Sequence, residues 1–128
     1  MIPRVMRIWL CTEPVDFHKG INGLCAVVQN ELDGDPLSGH LWVFFSRDRR
    51  ALKLLLWDTG GFLLIHKRLE QGRFRLPRSD GKTARMTAAE LTALLEGIDV
   101  STARRLPRWN PVEETVVSEK ARVIPTSP

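Results

Sequence analysis

The sequence predicts a single α+β domain, a small antiparallel β-meander packed on two helices, over residues 1–98, followed by a tail over 99–128. Three observations carry that reading. Three short apolar runs, L-W-V-F-F (41–45), A-L-K-L-L-L-W (51–57) and F-L-L-I-H-K-R-L (62–69), are separated only by R-D-R-R and D-T-G-G, as in an antiparallel meander. Apolar residues between Lys19 and Leu32 recur at steps of three and four, the spacing of one helical face. Thr87 stands three residues before Glu90 at the head of an apolar run that closes at Gly97, a capping-box pattern.

Taken in order, V-M-R-I-W-L-C (5–11) is a β-rich run stopped by Glu13-Pro14. Helix one turns Ile21, Leu24, Cys25, Val28 and Leu32 to one side, and D-G-D-P, with Gly34 and Pro36, ends it. If the meander's loops are Arg47–Arg50 and Thr59–Gly60, partners across the first hairpin have numbers summing to 97, and across the second to 119. Side chains alternate faces along a strand, so membership follows. One face holds Leu41, Val43, Phe45, Leu52, Leu54, Leu56, Leu63, Ile65 and Leu69, with Lys67 as its polar member; on this core face both helices are expected to pack. The other holds Trp42, Phe44, Lys53, Leu55, Trp57, Phe62, Leu64, His66 and Arg68. A basic, proline-marked stretch leads to helix two, with Leu91, Leu94 and Leu95 inward. From Asp99 no periodicity is sustained, and a partly disordered tail is expected.

With 43% hydrophobic and 27% charged residues in 128, the chain suits one globular domain. No run approaches the roughly 18 apolar residues of a membrane helix, and charges interrupt the opening M-I-P-R-V-M-R-I-W-L, so the expected location is cytoplasmic. Cys11 and Cys25 have no metal or redox spacing; they read as buried free thiols, with a disulfide as the alternative. The net charge of +4 is uneven: residues 46–85 hold eleven Lys or Arg against four acids, a net of +7. Such asymmetry is the footprint expected of a nucleic-acid partner, though an idle basic surface has the same composition. Arg47, Arg49 and Arg50 fall at a turn tip, where they are either solvated or face something anionic.

The face bearing Trp42, Phe44, Trp57 and Phe62 reads two ways: as a platform for stacking unpaired bases, or as a second core or dimer face with cations at its rim. Nothing points to an enzyme. Asp16, Asp58 and Glu70 have ordinary turn and ion-pair uses, His18, His40 and His66 lack ligand spacing, and G-x-S-x-G, phosphate-loop and C-x-x-C motifs are missing. No metal or cofactor is expected.

Three strings carry a family resemblance. D-F-H-K-G-I-N-G-L (16–24) is similar to a D-x-R-K-G-x-x-G-L motif, and G-H-L-W-V-F-F-S-R-D-R-R-A-L-K-L-L-L-W-D-T-G-G-F (39–62) and K-R-L-E-Q-G-R-F-R-L-P (67–77) continue it. Over about residues 3–100 the chain resembles the accessory protein of IS66-type insertion sequences, called TnpB or the second open reading frame product and unrelated to the RNA-guided nucleases of that name. His18, Phe45, Leu56, Ile65-His66 and Leu76 depart from the family's usual Arg, Arg, Tyr, Trp-Tyr and Trp. The resemblance implies an accessory required for transposition, with strand cutting and joining left to a separate transposase. It implies the transposase and another accessory protein of the element as partners. It also singles out Arg47, Arg49, Arg50, Lys53, Lys67, Arg68, Arg73, Arg75 and Arg78 as candidates for contact with DNA or with the transposition complex. Two functions follow: non-catalytic DNA binding within the transposition complex, or a protein-interaction module that binds the transposase or accessory without DNA affinity of its own.

Overall fold

The structure, a computed structural model, describes residues 6–97. The tail expected from Asp99 lies outside the described residues. The elements are β1 (Ile8–Cys11), α1 (Ile21–Asn30), β2 (Leu41–Phe45), β3 (Ala51–Asp58), β4 (Gly61–Arg68), β5 (Thr83–Met86) and α2 (Ala88–Leu95). The strands form one sheet in the order β4-β3-β2-β1-β5. Every pairing is antiparallel except that of β1 with β2, which α1 joins as a crossover. The α+β class is as expected.

The meander has the register that alternation requires: Phe45 pairs with Leu52 and Leu41 with Leu56, Trp57 with Phe62 and Lys53 with His66. The Thr59–Gly60 turn places both residues at positive φ, 20° and 82°, the two-residue geometry that fits the right-handed strand twist. Two further strands complete the sheet. β1 lies parallel beside β2, and T-A-R-M (83–86), not expected as a strand, closes the far edge of β1.

The helices pack on opposite faces, which corrects the expectation of a single covered face. α2 sits over Ile8, Leu10, Val43, Leu52 and Leu54 through Leu94, joined there by Phe74 and Leu76. α1 sits over Cys11, Trp42, Phe44 and Leu55 through Leu24, Val27 and Val28. The aromatic face is therefore a second core. The physical reason is that β2 and β3 are apolar on both sides, and one helix layer leaves half of that area in water. Covering a Leu or Phe completely is worth about 1.5–3 kcal/mol, so the second face attracts its own helix. Cys11 is buried, Cys25 is half-buried, and both are free thiols whose pKa burial pushes up.

Local chemistry sets the helix ends. The Thr87 hydroxyl accepts the Glu90 N–H at 3.0 Å, and the Glu90 carboxylate accepts the Thr87 N–H at 2.8 Å, the full capping box. At the end of α1 the left-handed residue is Asp33, with φ 54°, not Gly34. Gly34 is required for space: a Cβ there would stand 2.5 Å from Cη2 of the buried Trp42 ring.

Lys53 is the one buried charged residue among the described residues, 7% exposed. Its Nζ donates to the Phe17 carbonyl at 2.9 Å and the Lys19 carbonyl at 2.8 Å, under the Phe17 ring at 4.8 Å. The ammonium thus pins the loop before α1 to the central hairpin, and its hydrogen bonds offset desolvation.

Two stability effects follow. Lys53→Met strands two carbonyls and lowers unfolding free energy by about 1–3 kcal/mol in urea titration, whereas Arg68→Met, on the exposed end of β4, leaves it nearly unchanged. Gly34→Ala forces the Trp42 ring aside in a packed core and costs about 1–3 kcal/mol by the same measurement.

Candidate nucleic-acid interface

The turn from β2 to β3 is built by one carboxylate. Asp48 Oδ1 accepts the Ser46 hydroxyl at 2.8 Å and the Arg50 N–H at 3.0 Å. The Ser46 hydroxyl oxygen accepts the Ala51 N–H at 3.1 Å, and Arg49 takes a left-handed φ of 62°. Asp commonly shapes turns in this way, and its geometry turns all three arginines outward. The Arg50 N–H, the Ser46 hydroxyl and the nearby Arg50 and Arg73 charges hold the Asp48 carboxyl below its ordinary value.

A second basic segment is laced to this turn. The Arg50 carbonyl accepts the Leu69 N–H at 2.8 Å, and the Arg49 carbonyl accepts the Phe74 N–H at 2.7 Å. In R-F-R-L (73–76), Phe74 and Leu76 are buried in the α2-side core while Arg73 and Arg75 are exposed. The extended backbone alternates, so the inward anchors aim the arginines out. Arg47, Arg49, Arg73 and Arg75 consequently border one shallow depression with Asp48 and Phe74. Across the turn, Phe17, His66, Arg50 and Arg68 border another with Asp48, and the Phe17 and His66 rings meet edge to face at 5.6 Å.

Six of the expected DNA-contacting residues, Arg47, Arg49, Arg50, Arg68, Arg73 and Arg75, therefore gather at one end of the sheet around a single carboxylate. The others are placed differently. Lys53 is buried and bonded to carbonyls, Lys67 Nζ donates to the Leu95 carbonyl at the end of α2, and Arg78 is exposed but borders neither depression. Trp42 and Phe44 lie beneath α1, which removes them from any base-stacking surface of the folded domain. Trp57 and Phe62 are half-buried and pack edge to face, centroids 5.0 Å apart, at the opposite end of the β3–β4 hairpin. Sequence reasoning missed Phe17, which sits in the irregular D-F-H-K stretch without periodicity. The arrangement can hold anions: guanidiniums offer forked donors that match phosphate oxygens. Among the described residues no three His, Cys, Asp or Glu side chains cluster to hold a metal ion.

Residues 6–105 match the family model described as IS66 Orf2 like protein. This chain belongs to the IS66 Orf2-like family. Among its relatives in Sinorhizobium fredii (strain NBRC 101917 / NGR234), the uncharacterized protein y4jC is 36% identical over 110 residues, covering 86% of this chain and 94% of the relative. The uncharacterized protein y4hO of the same strain is 38% identical over 94 residues, covering 73% and 82%. No solved structure matches. Membership in the IS66 Orf2-like family gives the chain an accessory role in transposition. No helix among the described residues is long and apolar enough to cross a membrane.

The turn carries a pH signature. Asp48's folded pKa is depressed, so its contribution is complete above the ordinary value of 3.8 and is lost as pH falls through the folded value. In an NMR titration the Arg50 amide shift moves with a midpoint below 3.8, and Asp48→Asn abolishes that step.

Proposed function

We propose that this IS66 Orf2-like protein assists transposition by holding DNA without cutting it, through phosphate contacts at the arginine end of the sheet. The observation that carries the reading is the convergence of two basic segments, distant in sequence, into one rim bordered by Arg47, Arg49, Arg73 and Arg75 and tied by the Phe74–Arg49 backbone hydrogen bond. Four guanidiniums around one carboxylate repel one another in the free protein, and a polyanion relieves that repulsion. Phosphate contacts fix position and carry little sequence information, which suits an accessory that works beside a sequence-reading transposase. Arg50 and Arg68 extend the rim to the other face, with His66 and the Phe17 edge beside them.

Fluorescence anisotropy with labelled duplex and single-stranded DNA across a salt series tests this. Affinity falls steeply with salt, and Arg47/Arg49/Arg73/Arg75→Ala flattens the log–log slope by roughly 0.9 for each duplex phosphate the variant no longer neutralises. Arg7→Ala, an exposed cation beyond the opposite end of β1, leaves the slope unchanged. Asp48→Asn tightens binding by removing the rim's one negative charge. Absence of binding to either DNA form at low salt sinks the reading and directs the rim toward an acidic protein surface.

A further inference from the structure

The sheet has two edges of unlike character. At one, β5 is four residues long. At the other, β4 runs eight residues from Gly61 to Arg68, long for an edge. Edge strands are ordinarily blunted by charge, proline or a bulge, because their free backbone groups template pairing with another strand. The first half of β4, G-F-L-L-I, has none of these.

Its backbone polarity follows from the tight turn. A two-residue hairpin loop makes Asp58 and Gly61 a hydrogen-bonded pair, so the odd-numbered residues of β4 bond to β3. The Leu69 N–H bonded to the Arg50 carbonyl continues that series. The N–H and C=O groups of Phe62, Leu64, His66 and Arg68 therefore point away from the sheet. Alongside them stand Leu63, 48% exposed, and Ile65, 54% exposed, two of the three large apolar side chains left open among the described residues.

We propose that β4 pairs antiparallel with β4 of a second copy, joining two five-stranded sheets into one of ten strands about a two-fold axis at Leu64. The strand is self-complementary in that register. A two-fold axis perpendicular to the sheet keeps each side chain on its own face, so opposed residues have numbers of the same parity. Centred on Leu64, the pairing sets Leu63 against the partner's Ile65 twice, Leu64 against itself, and Phe62 against His66. The pair sharing both backbone bonds at the centre is Leu64 with Leu64, the outward-facing class the geometry demands. The charges sort as well. Lys67 falls opposite Gly61, beside which a side chain has open space, and Gly61 is the direct partner of Asp58 in β3. Each copy's cations thus meet the other's glycine turn and carboxylate, never each other. Exposed Leu63 and Ile65 that find each other across the axis, with charges complementary at both ends, specify a second copy and not an arbitrary strand.

Sedimentation of the full chain from micromolar to hundreds of micromolar shows a monomer–dimer equilibrium. Leu63→Lys/Ile65→Lys alters two exposed positions and leaves only monomer over that range, with the urea midpoint of dilute protein unchanged. Register is read by cysteine pairing in a Cys25→Ser background: Leu63→Cys mixed with Ile65→Cys cross-links on oxidation, since opposed Cα atoms about 4.5 Å apart in a non-hydrogen-bonded pair suit a disulfide. Neither variant cross-links alone. Wild type that stays monomeric throughout, as it would were β4 covered by the chain's own residues 98–128, overturns the proposal. So does a dimer that survives the double lysine substitution.

Discussion

Strands β2 and β3 carry apolar side chains on both faces, and a sheet so built has to be covered twice. Val43, Leu52 and Leu54 look to α2, while Trp42, Phe44 and Leu55 look to α1. Neither helix is long, ten residues in one case and eight in the other, so each depends on this contact more than on its own propensity. Double coverage leaves the sheet's ends and edges as the places where charge can remain solvated. The position of the arginines is thus a by-product of the core before it is anything else. Lys53 is the exception, tolerated inside because two loop carbonyls and an aromatic face receive its ammonium.

The arginine end is held by parts that are not themselves charged. Phe74 and Leu76 anchor the 73–76 segment in the α2-side core, and main-chain bonds from residues 69 and 74 fasten it to the turn. Asp48 spends its carboxylate on the turn's own N–H and hydroxyl groups. A rigid frame of this kind holds guanidiniums near one another against their repulsion, which is screened over about 10 Å at moderate salt. Preorganised donors lose less freedom on meeting a phosphate than flexible ones do.

What could be read from the sequence was local. Two-residue alternation and turn composition specify both hairpin registers, and Thr87 with Glu90 specifies the start of α2. What could not be read was non-local. T-A-R-M is too short and too mixed to announce a strand, and its partner β1 is far away in the chain. The parallel pairing of β1 with β2 depends on a crossover that leaves no mark in either strand. Lys53 among aromatics has the pattern of a wet, base-stacking face; only the carbonyls of Phe17 and Lys19, more than thirty residues earlier, make it a core residue. The alternation R-F-R-L was present to be read, and it shows which residues of the basic segment anchor and which project.

The placement of β1 also shapes the order in which the molecule can be made. Its pairs with β5 join residues 72 to 78 positions apart, from Cys11 with Thr83 to Ile8 with Met86. On a ribosome β1, α1 and the meander all emerge before β5 and α2, so β1 keeps an open edge until those two elements have been released. Closing so long a loop carries an entropic cost that is recovered only when both arrive together. A chain interrupted before Thr83 therefore lacks β1's outer partner and the second cover of the sheet at once, and exposes apolar strands on two sides to whatever is nearby in the cell.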